Sequence, residues 1–208
     1  MVKLGLNGFN EIARTILRMA AEKETDAAVV CINHKNAETQ HMAYQLRYSS
    51  SYGRMPGRIY GEDKAVVIGN TKISVTDNES FPEDCDVVID CENDGELQWS
   101  GKTVVSGIRE NAVPVDFGIN HHHYKNEKAV AQVKPETSAI ALLSKVINSN
   151  FGIENAVALT LKPGDTNSTL SDCGNPVRWR NGRSADSVIP EVCGGAQGMP
   201  PSPVPRWS

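Results

Sequence analysis

The sequence predicts an α/β fold with a mostly parallel sheet, and its opening stretch carries most of that prediction. Val2–Leu6 (VKLGL) is a short apolar run that Asn7-Gly8 breaks. Apolar side chains then recur at Ile12, Ile16, Leu17, Met19 and Ala20, a helical spacing over 11–23. Residues 27–32 (AAVVCI) form a buried strand with β-branched content. Strand, glycine turn, helix, strand is a βαβ unit, and such a unit sets its turn and helix N-terminus at a ligand edge.

Further elements follow in order. Residues 37–48 place Ala37, Met42, Ala43 and Leu46 at helical spacing, with Tyr44 and Tyr48 nearby. Val66–Ile68 and Ile73–Val75 are short β runs, and Gly69-Asn70 between them is a hairpin turn. Residues 85–91 (CDVVIDC), 103–106 (TVVS), 113–119 (VPVDFGI) and 128–133 (KAVAQV) read as later strands. Ile140, Leu142, Leu143, Val146, Ile147 and Phe151 mark an amphipathic helix over 137–151, and 156–161 (AVALTL) opens a strand-like stretch. Beyond residue 162 the pattern fades. Residues 163–187 are rich in Gly, Pro, Asn, Ser and Asp, and the four prolines of 198–208 rule out a regular helix or an inner strand, so that tail is expected to be extended or disordered.

The bulk properties exclude several classes. A net charge of −4 gives no basic excess for nucleic acid or a membrane surface. Apolar runs are only a few residues long, so no segment reads as a bilayer span. Asn7, Asn10 and Glu11 follow the first apolar run at once, which is too polar for a secretory signal. The five cysteines (Cys31, Cys85, Cys91, Cys173, Cys193) are odd in number and have no C-x-x-C pair, which predicts reduced thiols and a cytoplasmic protein. Without a secretory signal, the sequons at Asn78 and Asn167 read as chance matches.

Six collinear segments carry a resemblance. They are VKLGLNGFNEIAR (Val2–Arg14), YQLRYSSSYGR (44–54), DVVIDC (86–91), GINHHHY (118–124), LLSKVINSNFGI (142–153) and RWRNGRSADSVIP (178–190). In order and spacing they resemble the glyceraldehyde-3-phosphate dehydrogenase family, whose chain opens VKIGINGFGRIGR. The resemblance implies a Rossmann-like domain over 1–150, its mostly parallel sheet bearing helices on both faces. It also implies the start of a catalytic α+β domain over 151–197 and a Pro-rich tail over 198–208. The family's chain continues past this point, so the expectation is a C-terminally truncated relative.

The resemblance carries the family's cofactor positions onto Asn7, Gly8, Phe9, Ile12, Asn33 and His34, as a vestigial site. A Rossmann site uses three glycines, for the tight turn, the approach to the pyrophosphate and helix–strand packing. Here they read Gly8, Asn10 and Ala13, and only the first survives. Asn10 puts a side chain where the phosphates would pass, and Glu11 puts a carboxylate where the family has arginine, opposing an anion at the helix N-terminus. Asn33-His34 replaces the family's Asn-Asp, and His34 cannot accept two ribose hydroxyls as a carboxylate does. His34-Lys35 facing a 2′-phosphate would favour NADP; the preferred reading is two ordinary loop residues. Glu92-Asn93-Asp94 replaces the family's Thr-Gly turn, so Glu11, Glu92 and Asp94 would make the groove acidic. The expectation is no cofactor, with NAD or NADP as the alternative.

The family's chemistry needs a thiolate nucleophile and a histidine base. Counting back from LLSKVINSNFGI sets Pro135 on the thiol position, in Pro135-Glu136-Thr137-Ser138-Ala139; counting on from Phe151-Gly152-Ile153 sets Lys162 on the histidine. Proline has no nucleophilic atom, and lysine is no base near neutral pH unless strongly perturbed. The phosphate-holding turn becomes Val192-Cys193-Gly194. Thr137 and Ser138 read as helix caps, and Cys173 and Cys193 as inert thiols. His121-His122-His123 invites a metal, but on an extended chain only His121 and His123 would face one site, so a solvated loop is preferred. The resulting expectation is a pseudoenzyme with no catalytic residue, acting through association with itself or with an intact family member, or having no function of its own. The alternative is an NAD(P)-binding oxidoreductase with weak or altered activity.

Overall fold

The computed structural model describes residues 1–159 apart from 23–25, 36, 50–51, 78–80, 82–84, 93–98, 108, 110 and 134. The chain divides into two compact units, Met1–Lys134 and Pro135–Ser208. The first opens with β1 (Val2–Asn7), α1 (Glu11–Glu22), β2 (Ala27–Asn33) and α2 (Thr39–Arg47). A two-stranded ribbon follows, β3 (Tyr48–Ser49) with β4 (Gly53–Arg54), then β5 (Ile59–Glu62), β6 (Ala65–Ile68) and β7 (Thr71–Thr76). The chain then adds β8 (Val87–Asp90), β9 (Lys102–Ser106), β10 (Val113–Val115) and β11 (Ala129–Gln132). In the second unit, α3 spans Pro135–Phe151.

Nine strands form one sheet in the order β10-β11-β9-β8-β1-β2-β7-β6-β5. From β10 to β7 every neighbouring pair is parallel; β6 runs antiparallel to both β7 and β5. This is the Rossmann-like α/β sheet that the opening βαβ unit predicts. The chain leaves β1 toward β2 and β7, then returns to pair β8 on the other side of β1. That reversal places a crevice at the carboxyl ends of β1 and β8, where α/β sheets bind ligands.

Helix α1 buries Ala13 and Leu17, while Ile12 on the opposite face is exposed. From α2, Met42, Ala43 and Leu46 join Leu6, Val29, Ile32 and Val66 in the same core. Burying one such leucine or isoleucine contributes about 2 kcal/mol. The register of β1 against β2 shifts between Leu4 and Gly5, skipping Val30. Gly5, Cys31 and Val88 therefore serve a second cluster, with Phe81 and Cys85. Arg18 ties α1 to the end of α2. It is buried, and its guanidinium donates to the carbonyls of Leu46 (2.7 and 3.1 Å), Gly53 (3.0 Å) and Arg47 (3.3 Å). Helix C-terminal carbonyls have no partners within the helix, and a buried cation is tolerated when it is so fully bonded.

The Gly69-Asn70 hairpin forms as the sequence indicates: Ile68 pairs Thr71 around it, and Gly69 takes φ +59°. Three expectations change. The strand expected over 113–119 ends at Val115. Asp116 starts a turn closed by its backbone N–H donating to Asn120 Oδ1 (2.7 Å), and Gly118 supplies a positive φ of +86°. His121–His123 is a turn of 3-10 helix rather than extended chain, which voids the alternation argument. Residues 156–159 are not strand; 160–161 lie outside the described residues, as do both sequons, 163–187 and the Pro-rich tail.

Gly61 faces the start of α2 so closely that an added Cβ would lie 2.5 Å from Gln40 N and 2.6 Å from Thr39 O. Backbone at both sides cannot yield cheaply. Gly61→Ala is expected to destabilise the protein by about 2–3 kcal/mol, read as a lower urea midpoint.

Candidate functional site

The carboxyl ends of β2, β1 and β8 are joined by one ladder of side chains. Asn33 Nδ2 donates to Asn7 Oδ1 (3.0 Å), and Asn7 Nδ2 donates to Asp90 Oδ1 (2.8 Å). Beyond β9, Arg109 Nη2 donates to Asp90 Oδ2 (2.7 Å). Asp90 is 1% exposed, so its charge depends on that guanidinium and on Asn7. A buried carboxylate stripped of such partners costs several kcal/mol. The backbone reinforces the ladder: Gly8 N–H bonds Asn33 O, and Cys91 N–H bonds Asn7 O.

Gly8 opens the turn at φ +91°. The space above it is taken: a Cβ built on Gly8 would lie 2.8 Å from both Cδ and Oε1 of Glu92 and would also meet Glu92 Cγ. The same carboxylate reaches to 3.4 Å from His34 Nδ1. That is ion-pair range without hydrogen-bond alignment, and Nδ1 otherwise has no hydrogen-bond partner. Glu92 thus lies across the turn where a phosphate would approach the backbone. A phosphate oxygen near it would meet repulsion of about 1–4 kcal/mol per charge pair at surface dielectrics.

Asn10 closes the other approach. Its Oδ1 accepts from Ala13 N–H (3.2 Å), capping α1, and its Nδ2 donates to Cys91 O (2.6 Å). An anion at a helix N-terminus uses the free N–H groups there, and Asn10 has engaged one of them and bridged to the end of β8. Phe9 is buried, with the Arg14 guanidinium over its ring and His34 beside it at 6.2 Å between centroids. Ile12, 45% exposed, points away from the core. Glu11 is exposed; Asn93 and Asp94 lie outside the described residues.

The ribose side differs. Asn33 Oδ1, His34 Nδ1 and Thr76 Oγ1 are shielded from solvent without hydrogen-bond partners, and His34 N–H bonds Thr76 O across β2 and β7. A nucleoside's hydroxyls could satisfy such atoms. The Gly8 turn is thus occupied by Glu92 and the Asn10 cap, and the shielded atoms without hydrogen-bond partners lie at the β2–β7 end of the same edge.

For chemistry, Pro135 is the first residue of α3, the position where a missing N–H costs nothing. Thr137 and Ser138, expected as caps, lie inside α3, which begins at Pro135; Thr137 is 2% exposed, which suits a structural hydroxyl. Lys162, Cys173 and Cys193 lie outside the described residues. Among the described residues no three His, Cys, Asp or Glu side chains group as metal ligands, and no helix is long and apolar enough to cross a membrane. The structure brings Asn7, Gly8, Asn33 and His34 together at one edge and adds Asp90 and Arg109, which sequence reasoning missed. The signal available was an aspartate ending an otherwise apolar strand.

Cys91 is the described thiol nearest the groove. Burial, then the charges of Asp90 and Glu92, push it up to about 12. Four pH units below that value only about one thiol in ten thousand is ionised. At pH 8 the native protein should therefore leave Cys91 unmodified by iodoacetamide over hours, read by peptide mass mapping. Rapid labelling would show an activated thiol.

Comparison with known proteins agrees with this architecture. Residues 2–96 match the family described as glyceraldehyde 3-phosphate dehydrogenase, NAD binding domain. The chain is 30% identical over 217 residues to the cytosolic glyceraldehyde-3-phosphate dehydrogenase of Trypanosoma brucei brucei, an alignment covering 96% of this chain and 65% of that protein. It is 32% identical over 212 residues to the glyceraldehyde-3-phosphate dehydrogenase of Buchnera aphidicola subsp. Schizaphis graminum, covering 94% and 63%. With glyceraldehyde-3-phosphate dehydrogenase 1 of Saccharomyces cerevisiae it shares 29% over 217 residues, covering 96% and 65%. The chain spans just under two thirds of the length of these curated relatives. With its parallel sheet and its glycine turn at the reversal point, this chain is similar over nearly its whole length to glyceraldehyde-3-phosphate dehydrogenases.

Proposed function

We propose that this protein is a non-catalytic member of that kinship, acting through association with itself or with an intact relative rather than through aldehyde oxidation. One observation carries the reading: the Glu92 carboxylate lies over Gly8, at the turn where the resemblance sets the pyrophosphate. Three further features support it. Asn10 occupies a donor of the α1 terminus. Proline stands at the position the resemblance assigns to the nucleophile; in the structure it is the first residue of α3. Cys91, the thiol beside the groove, is held protonated.

The shielded, unpartnered atoms of Asn33, His34 and Thr76 favour a second reading, a protein that still holds NAD or NADP. Calorimetric titration separates the two. Wild-type protein should give no saturable heat up to millimolar NAD or NADP, whereas Glu92→Ser, which clears the turn, should gain measurable affinity. Micromolar binding by the wild-type chain would overturn the proposal in favour of the second reading.

The catalytic part has its own test. Pro135→Cys combined with Lys162→His restores both residue types at the positions the resemblance assigns. The double variant is expected to show no aldehyde-dependent NAD reduction, because Glu92 and Asn10 still bar the cofactor. Clear turnover would mean that the groove accepts a dinucleotide as it stands.

A further inference from the structure

The second core cluster lies on the face of β1 opposite Leu4 and Leu6, and it is built around two sulfurs. Cys31, on β2, is 0% exposed; Cys85, just ahead of β8, is 6% exposed. Their Sγ atoms lie 3.4 Å apart although the residues are 54 positions apart in sequence. Gly5 makes this approach feasible. It pairs with Cys31 in the β1–β2 register, and a Cβ there would lie 3.3 Å from Cys31 Sγ and 2.8 Å from Phe81 Cδ1. With no side chain on β1 at that point, the thiol of β2 reaches across to the segment that leads into β8. Phe81 and Trp99, edge to face at 6.0 Å between centroids, stand in the same cluster.

We propose that Cys31 and Cys85 are a two-electron oxidation site that closes to an intramolecular disulfide. The sulfurs are already in contact, and a bond needs them to approach to about 2.05 Å. The difference in exposure sets the order of events. A small peroxide meets Cys85 first, and the Cys85 sulfur displaces water from the peroxide to give a sulfenic acid. Cys31 sulfur then attacks that sulfenic sulfur; the S–S bond forms and the S–O bond breaks, releasing a second water. Two thiol hydrogens and two electrons have passed to one peroxide. Cys91 takes no part. It packs in the other cluster, with its Sγ 3.9 Å from Ile89 O.

The bond would tie β2 to the start of β8 across β1, the three strands whose far ends carry Asn33, Asn7 and Asp90. Closing a loop of this length restricts the unfolded chain, so the oxidised protein should melt about 5 °C or more above the reduced one. The test treats the purified full chain with hydrogen peroxide, traps remaining thiols with an alkylating agent under denaturing conditions, and maps peptides without reductant. The expected result is a Cys31–Cys85 cross-linked peptide, lighter than its two parts by two hydrogens. It should appear together with the higher melting midpoint, both reversed by dithiothreitol, and Cys85→Ala should lose both. Recovery of Cys31 and Cys85 as separately alkylated thiols, or of Cys85 as a sulfinic acid with Cys31 unlinked, would overturn the proposal. If Cys85→Ala fails to fold, the wild-type peptide map decides alone.

Discussion

The buried charge of Asp90 is the constraint on which the carboxyl edge of the sheet depends. A carboxylate 1% exposed must be answered by donors, and here they come from two directions, Asn7 on β1 and Arg109 beyond β9. Asn7 is fixed in turn by Asn33 on β2. Four side chains from separate parts of the chain therefore share one network, and its strength lies in mutual satisfaction rather than in any single bond. The network lies where the strand order reverses, so it sets the floor of the crevice. Everything above it, including Gly8, Glu92 and His34, is positioned from that floor.

What stands on the floor is turned inward. A glycine turn followed by a helix N-terminus is a general device for holding anions, because backbone N–H groups point outward and the helix dipole favours negative charge. In this chain Asn10 supplies an acceptor from within, bonding Ala13 N–H. Glu92 places an internal carboxylate over Gly8 and beside His34. The device is kept and its demand is met intramolecularly. This explains how the turn geometry, with Gly8 at φ +91°, persists in a groove whose phosphate approach is filled. The turn still earns its place through the Gly8–Asn33 backbone bond that locks β1 to β2.

Much of this was legible in the sequence, and the exceptions have physical causes. The βαβ opening, the Gly69-Asn70 hairpin and α3 follow from periodicity and turn chemistry, which are local. The loss of the second glycine at Asn10 was legible in the sequence. Its role as a cap was not, since that depends on the helix beginning at Glu11 and on Cys91 O lying within reach. The Asp90–Arg109 pair joins residues 19 apart on different sides of β9, a contact no local pattern encodes. The strand read over 113–119 failed because apolar content was weighed above turn content. Asp116, Gly118 and Asn120 together close a turn whose side-chain bonds outcompete a sheet ladder.

Asn10, Glu92 and Pro135 have a property in common. Each removes a local opening for an outside partner: Asn10 by occupying a donor of α1, Glu92 by placing a carboxylate over Gly8, Pro135 by having no N–H to leave unbonded at the start of α3. Random drift at a ligand site tends to leave unsatisfied polar atoms or voids, both of which cost stability. Asn10 instead makes hydrogen bonds through both its polar side-chain atoms. At the β2–β7 end, Asn33 Oδ1, His34 Nδ1 and Thr76 Oγ1 stay shielded without hydrogen-bond partners. That asymmetry leaves the unmet hydrogen-bonding capacity of this edge at its β2–β7 end, while the turn at Gly8 is satisfied from within.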